Sequence, residues 1–199
     1  FPVITVNNIV VEEEISLLTN QRILFSAGRT TDNVPLDYLD FHWDWGDGTS
    51  DSGLGVYSQQ HEWGDIDGEN ITYDLILTVF DGNNNGTKTI KVNINNRLPV
   101  QIYAETMTTM TYTNLVMPDV FIDDDGTIDA YDWTFTDGVR IAPGMPQRGD
   151  DYSTVSSSLS NPIVSWDVPG NKTLMLTVTD DDGSEMTTML NVVVLNQLP

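Results

Sequence analysis

The sequence predicts an all-β protein made of two tandem immunoglobulin-like antiparallel β-sandwiches. Three observations lead there. Landmarks recur in the same order at a spacing of about 100 residues, the mark of an internal repeat. Apolar residues alternate with polar ones at the period of a half-buried strand. Turns rich in Gly, Asn and Asp separate these segments, and no stretch keeps helical spacing.

The joints define the repeat. Asn96-Arg97-Leu98-Pro99 returns as Asn196-Gln197-Leu198-Pro199, and Phe1-Pro2-Val3 resembles the tail of a further such joint. The predicted units are therefore 1–97 and 98–199. Within them Phe41, Trp43 and Trp45 answer Tyr131, Trp133 and Phe135, and Trp63 answers Trp166. Leu75, Leu77 and Val79 answer Leu174, Leu176 and Val178, and the last strands carry Ile90, Val92 and Ile94 against Leu190, Val192 and Val194. These alternating side chains are expected to point inward and fill the space between two sheets. Asp81 to Gly86 and Asp180 to Gly183 are expected turns. Asp47 to Trp63 spans 16 residues and Asp137 to Trp166 spans 29, so the second unit is expected to carry a longer loop at about 139–165.

Composition narrows the function. The chain has 199 residues and no cysteine, which excludes a disulfide framework and thiolate metal sites. Thirty acidic residues against eight basic ones give a net charge of −22. Such a surface repels nucleic-acid phosphates and anionic lipids and attracts cations. Asp outnumbers Glu by 23 to 7, a bias toward turns and short-range ligation. No apolar run approaches the ~20 residues of a membrane helix. No signal peptide is visible and position 1 begins in strand-like sequence, which reads as a mature or excised stretch.

The aromatic strands carry a family resemblance. Trp43-Asp44-Trp45-Gly46-Asp47-Gly48-Thr49 in the first unit, with Leu77-Thr78-Val79-Phe80-Asp81 and the Asn-x-Leu-Pro joint, resembles the PKD (polycystic kidney disease) domain. The second unit matches through Asp123-Asp124-Asp125-Gly126-Thr127-Ile128, Tyr131-Asp132-Trp133-Thr134-Phe135-Thr136-Asp137-Gly138 and Leu176-Thr177-Val178-Thr179-Asp180. There Thr134 and Thr136 stand where the family has Asp and Gly. The resemblance covers nearly the whole chain. It implies a sandwich of seven or so strands and a non-catalytic spacer or adhesion role in a larger secreted or cell-surface protein. Its expected partners are neighbouring domains of the same polypeptide, extracellular protein or polysaccharide, or copies of itself. A second reading is an accessory polysaccharide- or protein-binding module of a secreted hydrolase, with Tyr57, Tyr103, Tyr112 and Tyr152 as platform candidates.

Calcium is the cofactor the resemblance implies, since some members of the family hold it between a joint Asn and an Asp-x-Asp-Gly loop. By position the ligands are Asn96, Asp123 and Asp125, with Asp124 beside them. The chemistry suits a hard cation, which takes six to eight oxygens. Phe121 stands near where the family has Ser or Thr, and the first unit keeps only Thr31-Asp32-Asn33. The bland alternative is a solvated acidic turn. Asp180-Asp181-Asp182-Gly183 is a second carboxylate run, expected as a hairpin turn. Asp47-Gly48 and Asp137-Gly138 read as strand-closing turns, and His61 as a structural hydrogen-bond partner. No nucleophile elbow occurs. Asn70-Ile71-Thr72, Asn85-Gly86-Thr87 and Asn171-Lys172-Thr173 are N-glycosylation sequons in or beside expected turns. Arg148-Gly149-Asp150, with Met145 and Pro146 nearby, reads as a chance tripeptide within the predicted loop.

Overall fold

The computed structural model describes residues 1–68, 70–136, 139–142 and 154–197. The chain divides into two compact units, Phe1–Arg97 and Leu98–Pro199, each with its own core.

In the first unit a four-stranded sheet runs β2 (Ile9–Val10), β1 (Thr5–Val6), β4 (Ile23–Ser26), β7 (Ser58–His61). A five-stranded sheet runs β3 (Glu14–Leu18), β9 (Asn85–Asn95), β8 (Asn70–Phe80), β5 (Asp40–Asp44), β6 (Ser50–Leu54). All pairings are antiparallel except β3 with β9. The first strand of the unit is thus split: β1 belongs to one sheet and β3 crosses to the far edge of the other. Splitting of this kind raises the described strands to nine, beyond the plan of seven or so. Among the described residues the only helical element is a 3-10 turn at Leu36–Tyr38.

The strand sequences explain the layers. In β5, Phe41 and Trp43 are buried while Asp40 and His42 face out, and Trp45 continues the inward row. Trp43 and Trp45 stack at 5.5 Å, Phe25 from β4 meets Trp45 at 5.4 Å, and Trp63 packs its edge against Phe25 at 5.9 Å. Rings from both sheets therefore share one core. An indole buries roughly 200 Å², which at ~25 cal/mol/Å² contributes about 5 kcal/mol as an upper figure. In the β5 row the polar edge is satisfied as well: Trp43 Nε1 donates to the Val56 carbonyl at 3.0 Å and Trp45 Nε1 to Asp51 Oδ2 at 2.9 Å, whereas Trp63 Nε1 is buried without a hydrogen-bond acceptor among the described residues.

The second unit repeats the plan. Its five-stranded sheet runs β11 (Met107–Met110), β19 (Glu185–Leu195), β18 (Gly170–Asp180), β14 (Ile128–Thr136), β16 (Thr154–Ser157). A three-stranded sheet runs β12 (Leu115–Val116), β17 (Ile163–Trp166), β15 (Val139–Ala142), and β10 (Val100–Gln101) pairs with β13 (Phe121–Ile122). Parallel β11–β19 matches β3–β9. Trp133 and Phe135 stack at 5.8 Å, and Trp133 Nε1 donates to the Leu159 carbonyl at 3.0 Å, as Trp43 does to Val56.

The segment 139–165, expected as a loop, is strand at both ends. β15 pairs with β17 from Val139↔Trp166 to Ala142↔Ile163, and β16 pairs with β14. Val139 is buried, and Ile141 packs against the core, so this stretch has its own inward face. Length alone hid that alternation. Asp137, Gly138, Met145, Pro146, Tyr152 and the Arg148-Gly149-Asp150 tripeptide lie outside the described residues.

Gly46 shows why the Trp-Gly-Asp-Gly sequence ends β5. Its φ is +82°, and a Cβ there would come 2.7 Å from the Asp74 carbonyl oxygen. Gly48 has φ +90° with open space around it. Both pay the left-handed penalty of about 1–2 kcal/mol when substituted, and only Gly46 adds a backbone collision. Gly46→Ala is therefore expected to destabilise clearly more than Gly48→Ala in urea unfolding of the chain; equal losses would refute the close approach.

Candidate functional site

The strongest concentration of functional side chains in the second unit forms where two turns meet. β14 starts at Ile128, opposite Asp180, the last residue of β18. That register brings the 123–127 loop against the 180–184 hairpin. Asp181 N–H donates to the Thr127 carbonyl at 3.0 Å, and Thr127 N–H donates back to Asp181 Oδ1 at 2.9 Å. A Cβ at Gly126 would overlap the Asp181 carboxylate and displace it from the Thr127 N–H.

Inside this junction Asp123 and Asp125 are in direct contact. Asp125 N–H donates to Asp123 Oδ1 at 3.3 Å, and the two side chains share a hydrogen bond. Asp125 and Asp180 are buried, Asp180 to 2% exposure, with Asp180 Oδ1 accepting the Ser184 N–H at 2.6 Å. Loss of solvation pushes the Asp123 carboxyl up to about 7, helped by the proton shared with Asp125 and by the charges of Asp125 and Asp180; the Asp125 backbone N–H opposes this. Asp124 faces solvent. Among the described residues no three His, Cys, Asp or Glu side chains converge as a metal cluster.

The sequence pointed to Asp123 and Asp125 and marked Asp180 to Asp182 as a second carboxylate run, but did not show that the two lie against each other. That second run had been assigned to a hairpin, which it is: Gly183 has φ +91° and donates to the Asp180 carbonyl at 3.2 Å. The signal that they also face the first loop lies only in the strand register. Asn96 belongs to the first unit, where it is buried just beyond β9.

In the first unit Asp47 does close its strand. Its Oδ1 accepts the Thr49 N–H at 2.9 Å and the Thr49 hydroxyl at 2.6 Å, and its Oδ2 lies 2.8 Å from His61 Nε2. The His61 ring stacks on Trp45 at 4.4 Å and meets Trp63 edge-on at 4.5 Å. Burial alone would raise the Asp47 carboxyl, but the Thr49 hydrogen bonds and the His61 ring together hold it below its ordinary value.

Of the tyrosines proposed as a platform, Tyr57 packs against Phe41 and Tyr103 against the second core. Both are half-buried, each beside an inward row. Tyr112 is exposed, as is Tyr38, which the sequence did not single out. The sequon residues Asn70, Asn85 and Asn171 are exposed, and all three stand in the first two residues of long strands, beside the turns that precede them.

No family model matches the chain, and no curated protein matches it. Solved structures do match at low similarity. Fibronectin(III)-like modules of Clostridium thermocellum CbhA align at 16% identity and TM-score 0.33, covering 97% of this chain and 94% of theirs. The IG1 and IG2 domains of DIP-gamma align at 6% and 0.35, covering 98% and 99%. Human protocadherin-24 EC1-2 aligns at 14% and 0.34, covering 98% and 99%. Likeness of this degree fixes neither family nor function, and the fold rests on the strand order given above.

The two carboxyl sites imply opposite pH dependences. Asp47, depressed when folded, contributes stability above pH ~4 that is lost as pH falls further. Asp123, raised when folded, contributes stability below pH ~4 that is lost as pH rises to about 7. In melts across that range without calcium, Asp47→Asn is expected to flatten the acid limb and Asp123→Asn the decline between pH 4 and 7. An unchanged slope in either variant refutes the corresponding assignment.

Proposed function

We propose that the chain is a pair of non-catalytic PKD-type structural or adhesion modules from a larger secreted or cell-surface protein. The observation that carries this reading is the use of the aromatic side chains. All five tryptophans are buried in packing, so no indole is exposed to stack on a sugar. The described clefts are surface features, and a catalytic pair would need a recess that shifts its pKa values against a bound substrate. No helix among the described residues is long and apolar enough to cross a membrane. Exposure of Asn70, Asn85 and Asn171 suits glycan attachment, which would accompany a surface location.

We also propose calcium as the ion of the second unit, held by Asp123 and Asp125. The donor set fits a hard cation: two carboxyl groups in contact, with buried Asp180 adding charge nearby. Without an ion, a proton must relieve that repulsion. With so few carboxylates converging, the remaining oxygens would come from loop carbonyls and water. When bound, calcium supplies a rigid junction between the 123–127 and 180–184 turns. The proposal rests on the second unit alone.

The test compares melting in calcium and in chelator at pH 8. Calcium is expected to raise the transition of the parent chain, and by mass action about 100 Kd of free ion adds about 2.7 kcal/mol. Asp123→Asn is expected to melt higher than the parent in chelator, because one of two touching carboxylates is gone, and to lose the calcium increment. Identical melts of the parent in calcium and chelator would remove the ion from the account while leaving the structural role standing.

A further inference from the structure

The first unit has a device the second lacks. Between Ile4 and Glu14 the chain forms the β1–β2 hairpin, turning at Asn7 and Asn8 with φ of 50° and 63°. Both central residues of a type I′ turn need positive φ, which Asn tolerates. In the second unit the chain runs from β10 to β11 with no strand between them.

β2 is the outer strand of the four-stranded sheet and β3 that of the five-stranded sheet. The crossing between them is pinned by Val11 N–H to the Ile4 carbonyl at 2.9 Å and Lys91 N–H to the Glu13 carbonyl at 2.8 Å. It leaves a cleft of about 560 Å³ with Val6, Ile9, Val10 and Ile15 along it and Glu12 to Glu14 at its rim. Ile9 is 70% exposed. Glu12 lies 3.4 Å from Lys88, whereas among the described residues no ion pair reaches Glu13 or Glu14. A neighbouring cleft of about 430 Å³ shares the three glutamates and adds Asp74, which pairs with Lys91 at 3.1 Å, so Glu13 and Glu14 carry the unpaired charge of the rim.

Charge and shape select the occupant. A sugar finds no aromatic ring in the cleft. A divalent ion finds no converging trio of carboxylates among the described residues. A second copy of this chain brings another net −22 to a rim already acidic, and the glutamates guard the edge of β2 against such pairing. What remains complementary is a cationic chain with aliphatic side chains for Ile9 and Val10 and a main chain able to pair with an open strand edge.

We propose that this cleft docks an extended segment of another protein, with lysine or arginine alternating with aliphatic residues, laid alongside β2. The probe is a capped Lys-Val-Lys-Val-Lys-Val peptide titrated into the full ¹⁵N-labelled chain, beside a capped Lys-Ser-Lys-Ser-Lys-Ser peptide. Shifts are expected to concentrate at residues 6–15 and 89–91. The double variant Glu13→Lys with Glu14→Lys, and separately Ile9→Ser, are each expected to weaken binding about tenfold, equivalent to about 1.4 kcal/mol. All three positions lie at the surface, and an unchanged melt checks that the fold is kept. The proposal is overturned if the Lys-Ser peptide binds as well as the Lys-Val one, if shifts spread over both units, or if the variants bind unchanged, each of which marks diffuse attraction to an acidic surface. Concentration-dependent self-association abolished by Ile9→Ser would overturn it too, by assigning the cleft to a second copy.

Discussion

The fold depends on one constraint: a row of aromatic rings on a single strand must be covered from the opposite sheet. In the first unit Trp43 and Trp45 extend from β5 into the core, where Phe25 and Trp63 meet them. Side chains of this size cannot be half-buried cheaply, so they fix both the sheet separation and the register of β5 against β8, Trp43↔Leu77. A one-residue slip would carry Phe41 and Trp43 to the solvent face. The second unit solves the same problem with Trp133 and Phe135, and closes it with the same hydrogen bond from the indole to a carbonyl of the loop that follows.

With the core filled in this way, function is left to the rims. In the second unit the turns at one rim put Asp123 against Asp125 with the charge of Asp180 nearby, and burial together with those neighbours pushes the Asp123 carboxyl up to about 7. In the first unit the hairpin Thr5–Val10 widens one edge and leaves Ile9 uncovered beside three glutamates. The two units share their aromatic frame and diverge where short segments join the sheets, as expected when a rigid scaffold carries variable connections.

Asp47 illustrates how the frame also absorbs polar chemistry. A carboxylate, an imidazole and two indoles lie within contact of one another, an arrangement that in isolation resembles a reactive site. Its groups are spent on closure. Thr49 occupies one carboxylate oxygen, His61 the other, and Trp45 covers the imidazole face.

The sequence by itself determined the strand class, the inward rows and the turns, because alternation, glycine and Asx chemistry act over a few residues and leave local marks. It also placed the carboxylates of Asp123, Asp124 and Asp125 on one tight turn, and the family resemblance singled out Asp123 and Asp125 with Asn96. Only the tertiary structure decided that the 180–184 hairpin lies against their loop, because sheet register pairs Ile128 with Asp180, 52 residues apart. The structure likewise decided that Tyr57 and Tyr103 pack in part against the cores, that 139–165 begins and ends as strand, and that the Thr5–Val10 hairpin leaves Ile9 exposed. Each of these depends on which edges lie adjacent in space, and adjacency across sheets has no periodicity along the chain.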